Sequence, residues 1–338
     1  MSRVDVIVPC YNYGRYLPAC LRSVLSQEGI AVRVLVIDDA SPDGSGAVAE
    51  ELARQDGRVE ARRHPVNRGH IATYNEGLDW AEGDYALLLS ADDLLVPGAL
   101  LRAARLLDAR PEVSLTYGRQ IRFATEGPPE APPPAGRAGG WRVLAGREFI
   151  AECCRTGGNP VSTPTAVVRT SLWKELGGYR AELPHTADME LWLRFAAHTD
   201  VGVIDAVQAL KRVHPDNMQY QYLGPGLGDL RQRYAAFEAL FSGYGRRVRG
   251  APSLWAQATA VLADQAFWAG SRAFDRGDVT ACRQCLEYAL SLDPGLRDRR
   301  PWARLRWKQR LGPRIWRVVR PVLERLRRTP SLLHPQVS

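Results

Sequence analysis

The sequence predicts an α/β fold: a mostly parallel central sheet with helices on both faces, followed by a C-terminal helical region. Three observations carry this. Short apolar runs alternate with segments of helical period as far as residue 107. The first runs stop abruptly, at polar residues or at a Gly/Pro turn. From about Gly224 only helical patterns remain. Strands alternating with helices of this length build a parallel sheet covered on both faces.

The elements follow in order. VDVIVP (residues 4–9) reads as a buried strand, and YNYGRY after it as a turn. Residues 17–27 place Leu21, Val24 and Leu25 on one helical face. VRVLVIDD (32–39) is a second strand, closed by Ala40-Ser41-Pro42-Asp43-Gly44-Ser45, whose side chains favour turns. Residues 47–55 are helical, 58–62 a short strand, 67–69 a loop, 73–81 a helix and 85–89 a fourth strand. A helix is expected at 94–107 and a strand at 113–122. Residues 127–140 form a Pro/Gly-rich loop. Residues 141–154 are partly helical, 163–169 a strand, 171–176 a short helix, 188–197 a helix and 201–213 one or two strands. Residues 266–294 read as a helical hairpin around Gly277-Asp278, with Ala281 and Ala289 at packing positions. The hairpin resembles one tetratricopeptide-type unit, and such arrays need about three. The expected division is a first domain at 1–220, a helical region at 221–298 and a basic tail at 299–338.

The chain has 338 residues, 45% hydrophobic and 24% charged, the profile of a soluble globular protein. No window offers the roughly 18 apolar residues that a membrane-spanning helix needs. The apolar stretch in MSRVDVIVPCYN is too short for a signal peptide. A cytoplasmic location is therefore expected. Six cysteines fit it as reduced thiols. The pair Cys282 and Cys285, without a second pair or nearby histidines, is a weak zinc signal. The net charge of +8 is uneven. Residues 296–328 hold thirteen Lys or Arg against Asp298 and Glu324, which leaves −3 for the rest of the chain.

Tyr11, Asp38-Asp39, the 67–69 loop and Asp92-Asp93 all fall at strand ends. Ligands of open α/β sheets bind beyond the carboxyl ends of the strands. Four strand ends thus deliver polar groups to one edge of one sheet. The adjacent carboxylates of Asp92 and Asp93 repel each other and are costly to desolvate. Mg2+ or Mn2+, which takes oxygen ligands and bridges to phosphates, makes such a pair tolerable. The rival reading is that Asp92 caps the next helix. A carboxylate at the end of the second strand can accept hydrogen bonds from the imide or ribose of a nucleotide. The rival there is an Asx-type turn. Both hold if Asp39 serves the ligand and Asp43 the turn.

Taken in order, VDVIVPCYNYGRYLPACLRSVLSQ, VLVIDDASPDGS, NRGHIATYNEGLDWAEGDY and LLLSADDLLVPGAL resemble the family-2 glycosyltransferases of the GT-A fold. The resemblance covers residues 4–217. It implies an inverting enzyme that moves a sugar from a nucleoside-diphosphate-sugar donor to an acceptor hydroxyl, with Mg2+ or Mn2+ as cofactor. It implies that Pro9 and Tyr11 line the base pocket and that Asp39 binds the base. Arg68 and Asn75 would shape the nucleotide side of the cleft. Asp92 would take the metal-binding place of the D-x-D motif, with Asp93 beside it facing the donor or acceptor sugar. Ser90 stands where the first Asp is usual. Its hydroxyl can hydrogen-bond ribose but carries no charge, so metal affinity is expected to be weaker and Asp93 to share the work.

HTADMELWLRFA resembles the family's Glu-Asp-x-x-x-Trp-x-x-Arg segment. Asp188 matches the base position, and Ala187 replaces the common Glu. Inversion needs a group that removes the acceptor proton as the sugar's C1 is attacked from the opposite face, and a carboxylate within hydrogen-bond reach suffices. A helix cap is the rival reading of Asp188. Trp192 is more readily core than sugar platform. KRVHPDNMQ resembles the closing Arg-x-His segment. The resemblance implies that Arg212 and His214 meet the diphosphate and that His214 joins Asp92 and Asp93 on the metal.

The tail carries Trp302, Trp307 and Trp316 among its arginines. Interleaved aromatics and cations suit an interfacial helix on anionic lipid. That reading puts the enzyme at the inner face of the cell membrane, near a lipid-linked acceptor. The rival is packing back on the protein, and nucleic acid is not the expected partner. Pro313 and Pro321 are expected to break a continuous helix. The pathways such an enzyme serves are surface polysaccharide, glycolipid or glycosylated metabolite synthesis. Two other classes compete. A sugar nucleotidyltransferase normally carries a Gly-rich loop with a basic residue where this chain has Cys10-Tyr11-Asn12-Tyr13-Gly14. A non-catalytic sugar-nucleotide binder would explain Ser90 and Ala187.

Overall fold

A computed structural model describes residues 2–124, 140–215, 217 and 227–328. The Pro/Gly-rich stretch, apart from Gly140, and the last ten residues lie outside these. The first half is a parallel sheet of β1 (Arg3–Cys10), β2 (Ala31–Asp38), β3 (Val59–Arg63) and β4 (Tyr85–Leu88), in the order β3-β2-β1-β4. The crossovers carry α1 (Leu17–Leu25), α2 (Ser45–Gln55) and α3 (His70–Trp80). Val4, Val6, Ile7 and Val8 are all fully buried, which is why β1 reads as an apolar run rather than an alternation. Helix α1 buries Leu17, Cys20, Leu21 and Val24, one stripe of helical period.

The second half adds β5 (Leu94–Leu95), α4 (Ala99–Ala109), β6 (Val113–Phe123), β7 (Trp141–Leu144) and α5 (Gly146–Thr156). It continues with β8 (Val167–Arg169), α6 (Thr170–Leu176), α7 (Ala187–Ala196) and β9 (Asp200–Arg212). The sheet runs on as β4-β8-β6-β9-β5, with β7 also pairing with β9. Strand β8 is antiparallel to β4 and to β6, and β9 is parallel to β6. Strands β4, β6 and β9 therefore point the same way as β1 and β2. All five end on one edge of the sheet.

Two local expectations are corrected. The helix expected from residue 94 starts at Ala99 behind Gly98, so Asp92 is not its cap. Leu94 and Leu95 instead pair with Leu210 and Ala209 of β9. Residues 141–144, expected to be partly helical, form a strand against β9 before α5 begins. Cross-strand pairing, which no local pattern encodes, decides both cases.

The helical region holds α8 (Gly228–Tyr244), α9 (Ala251–Arg276), α10 (Val279–Leu292) and α11 (Arg300–Arg328). Gly277, at φ 87, turns the chain between α9 and α10, where an L side chain is disfavoured. Asp278 then caps α10 by accepting from the Ala281 amide at 2.9 Å. These helices share one apolar core with the sheet's own covering helices: Phe149, Ile150 and Cys153 of α5 join Ala258, Leu262 and Ala266 of α9. Helix α11 breaks at Gly312, so Pro313 opens its second part, and it continues through residue 321 against expectation. Leu305 and Trp316 are buried, and the Trp316 indole donates to Asp275 at 2.6 Å. Trp307, Ile315 and Val318 remain 50%, 55% and 74% exposed. All six cysteines are free and buried, and no helix among the described residues is long and apolar enough to cross a membrane.

Candidate active site

The shared edge carries two groups of polar side chains. The first surrounds Asp39, just beyond β2. Its Oδ1 accepts from the Arg68 amide at 2.7 Å and faces His64 Nδ1 at 2.7 Å, while Oδ2 accepts from the Gly69 amide at 2.9 Å. Burial opposes ionisation of Asp39, but these bonds from Arg68, His64 and Gly69 outweigh it, so its carboxyl lies below the ordinary range. His64 Nε2 meets Glu76 at 2.9 Å, and the Arg68 guanidinium meets the same Glu76 oxygen at 2.8 Å. The base-binding candidate is thus held by a closed network of its own loop. Pro9 lies in β1 opposite Ile37, and Tyr11 just beyond it is 46% exposed. Asn12 and Ala40 hold positive φ of 61° and 58° at the ends of β1 and β2. Such strain in non-glycine residues concentrates at functional sites.

Asn75 bonds the turn that follows α6. Its carboxamide donates to the Tyr179 carbonyl at 2.9 Å and accepts from the Tyr179 amide at 2.7 Å. The contact is so close that a Cβ on Gly178 would fall 2.1 Å from Asn75 Oδ1. Arg194 reinforces the same turn by donating to the carbonyls of Leu176 and Gly178 at 2.6 and 2.7 Å. Trp192 is buried in the core.

The second group is built by the short pairing of β5 with β9. Leu94 opposite Leu210 brings Asp92 and Asp93 beside the end of β9. Both aspartates are 3% exposed. Asp93 Oδ1 accepts from the Arg212 amide at 2.9 Å. Burial first, and the neighbouring Asp92 second, push the Asp93 carboxyl well above the ordinary range. Arg212 is 1% exposed; its guanidinium lies 4.4 Å from the ring centres of both Tyr16 and Phe123, and its Nε donates to the Asp92 carbonyl at 3.0 Å. Asp92 Oδ2 lies 3.2 Å from His214 Nε2 and 3.1 Å from Asn217 Nδ2, whereas its buried Oδ1 has no partner. Ser90 sits half-buried on the turn, its carbonyl accepting from the Asp93 amide at 3.0 Å.

Asp92 and His214 face one another, whereas Asp93 turns to the backbone of β9. Among the described residues no group of three or more His, Cys, Asp or Glu side chains is arranged to hold a metal ion by itself. What is present fits a cation shared with phosphates: one buried carboxylate with an open oxygen, and an imidazole nitrogen. Mg2+ and Mn2+ sites of that kind draw their remaining ligands from the substrate and water.

Asp188 stands in the first turn of α7. It accepts from the Met189 amide at 2.7 Å, from Thr163 Oγ1 at 3.2 Å and from Asn159 Nδ2 at 3.3 Å. Thr163 lies just before β8, which runs antiparallel to β4, so this carboxylate belongs to the same edge. Burial raises its carboxyl above the ordinary range, against the opposing effects of Met189, Thr163 and Lys211. The Lys211 charge bears on Asp93 as well, which ties Asp188 and the aspartate pair into one electrostatic neighbourhood.

Sequence reasoning missed His64, Glu76, Thr163, Asn159 and Asn217. His64 carried a usable signal, since it directly follows a strand at the ligand-binding edge. The others are marked only by tertiary contacts.

Residues 5–171 match the family model described as glycosyl transferase family 2. An uncharacterized protein of Mycobacterium tuberculosis is 29% identical over 235 residues, 62% of this chain and 66% of that protein. Glycosyltransferase GlyG of Streptococcus pneumoniae is 34% identical over 93 residues, 27% of this chain and 31% of its own. Putative glycosyltransferase EpsE of Bacillus subtilis is 27% identical over 218 residues, 64% and 74% respectively. The chain thus spans less than two thirds of the length of the first two. Among solved structures, S. aureus TarS in complex with UDP-GlcNAc aligns over 88% of this chain and 92% of its own, with a TM-score of 0.56 at 17% identity. The mannosyltransferase PcManGT from Pyrobaculum calidifontis, in complex with GDP-Man and Mn2+, aligns over 96% and 88%, at 0.50 and 18%. These are likenesses of fold, and the fold is of the GT-A class.

Proposed function

Residues 5–171 belong to glycosyl transferase family 2, and from that premise we propose that the chain is an inverting, cation-dependent glycosyltransferase. It moves a sugar from a nucleoside-diphosphate donor to an acceptor hydroxyl. The observation that supports this most is that Asp188 and the Asp92–His214 pair lie on the same edge of one sheet. Asp188 accepts the acceptor's proton as the hydroxyl oxygen attacks C1 from the face opposite the leaving nucleotide. Its raised pKa suits the work, because a general base is most effective when its pKa lies near the working pH. Thr163, Asn159 and the Met189 amide hold the carboxylate in one orientation. Asp92 and His214 would hold Mg2+ or Mn2+, which offsets the charge developing on the departing diphosphate. Asp39 and its loop, with Pro9 and Tyr11, form the base side of the cleft.

Asp188→Asn tests the reading. With UDP- and GDP-sugars, Mn2+ and a set of hydroxyl acceptors, nucleoside diphosphate release should fall by roughly 10²–10⁴-fold. Turnover within threefold of wild type would remove Asp188 as the base.

In this reading residues 1–220 are the catalytic domain and the helices from Gly228 onward its packed support. Exposed Trp307, Ile315 and Val318 on a basic helix favour contact with an anionic lipid surface, where a lipid-linked acceptor of surface polysaccharide or glycolipid synthesis would reside. Trp307→Ala/Val318→Ser should reduce co-sedimentation with phosphatidylglycerol vesicles, and equal partitioning of variant and wild type would end that part of the proposal.

A further inference from the structure

Three polar atoms form a triangle at the end of β9. Asn217 Nδ2 is 3.1 Å from Asp92 Oδ2 and 3.1 Å from His214 Nε2, and those two are 3.2 Å from each other. Hydrogens cannot satisfy all three sides. If the imidazole nitrogen carries a proton for Asp92, the Asn217 amide meets another donor. If it carries none, it accepts from Asn217 but then faces the carboxylate lone pair to lone pair. Asp92 Oδ1 and His214 Nδ1 are also buried without partners. Asn217 itself is 8% exposed, and its Oδ1 is fixed by the His214 amide at 2.8 Å. Its NH2 group is therefore aimed between a carboxylate and an imidazole and presents partial positive charge to both.

We propose that in the ligand-free protein the Asn217 carboxamide stands in for the divalent cation between Asp92 and His214, and withdraws when the cation and nucleotide enter. The inference rests on the cation-dependent reading above and adds a device to it. The amide keeps the two ligating side chains facing one another without a metal. It also competes with the metal, because its two hydrogen bonds must break before the cation can reach the same two atoms. Cation binding is thereby coupled to withdrawal of the Asn217 carboxamide from Asp92 and His214.

Mn2+ binding is read by electron paramagnetic resonance of free Mn2+, with UDP or GDP at saturation, and melting temperature is read with and without both. Asn217→Ala should bind Mn2+ roughly five- to tenfold more tightly than wild type, since about two modest hydrogen bonds no longer oppose it. Its metal-free melting temperature should fall by several degrees, because the buried Asp92 and His214 atoms lose their partner. With Mn2+ and nucleotide the two proteins should melt nearly together. Asn217→Asp covers the case in which the alanine variant does not fold without metal; it should bind Mn2+ more tightly still and be stabilised most by it. Equal or weaker Mn2+ binding by both variants would overturn the stand-in role. No Mn2+ binding by wild type with either nucleotide would overturn it in a separable way, by removing the cation reading itself.

Discussion

The two groups on the sheet edge treat their carboxylates in opposite ways. At Asp39 every oxygen is engaged by the chain's own loop, and hydrogen bonds outweigh burial, so the acid is kept ionised. At the other end Asp92 keeps a buried oxygen without a partner, and burial leaves Asp93 and Asp188 with raised carboxyls. The first arrangement stabilises a loop. The second stores unmet interactions that a substrate complex can satisfy. Family membership alone does not distinguish them, because both ends carry an acid that the family's motifs would mark.

The contrast predicts that replacing an acid at the second end costs activity and replacing the acid at the first end costs stability. Asp188→Asn is expected to have the largest effect, the loss of transfer given above, without a lower melting temperature. A carboxyl whose folded pKa is raised contributes stability below the unfolded value of about 3.9 and loses it as pH rises through the folded pKa. The variant's melting temperature should therefore match wild type near the acid end and move ahead of it as pH rises. Wild-type transfer should climb over that same rise, as Asp188 ionises. A variant that melts well below wild type at neutral pH would break the contrast at this point.

Asp39→Ala comes next. It strands the Arg68 amide and one nitrogen of His64 and leaves the Gly69 amide to Asn67 Oδ1 at 3.0 Å, so about 2–4 kcal/mol of stability should be lost in urea denaturation. Asp39 has the opposite sign of pH dependence. Its carboxyl is lowered in the fold, so its contribution is present at neutral pH and disappears as pH falls through the carboxylate range. The deficit of the variant should shrink in acid, and a constant deficit would show that the charge of Asp39 is not what the loop uses. The smallest effect is expected at the scaffold. Gly178→Ala forces a methyl against Asn75 Oδ1 and should cost roughly 1–3 kcal/mol. If Asn75→Ala, Gly178→Ala removes the clash and restores part of the loss, the contact is steric as read.

Much of this is legible in the sequence. The apolar runs of β1, β2 and β4 and the stripes of α1 and α3 follow from local period, because a parallel sheet buried on both faces leaves continuous apolar runs in the sequence. The polar ends of those strands marked Asp39, Asp92 and Asp93, and motif order marked Asp188. Three things required the tertiary structure. Leu94 and Leu95 pair with Leu210 and Ala209 of β9, far along the chain, and only that pairing turns Asp93 to the Arg212 backbone and leaves Asp92 to His214. Asn75, expected to shape the nucleotide side of the cleft, bonds the backbone of Tyr179, and spacing along a helix does not say what lies opposite. Asn217 is one polar residue among several until β9 carries it to the aspartate. Sequence period sets which face of an element is buried. Which polar atoms end up without partners is a property of the whole packing, and that is where the chemistry is read.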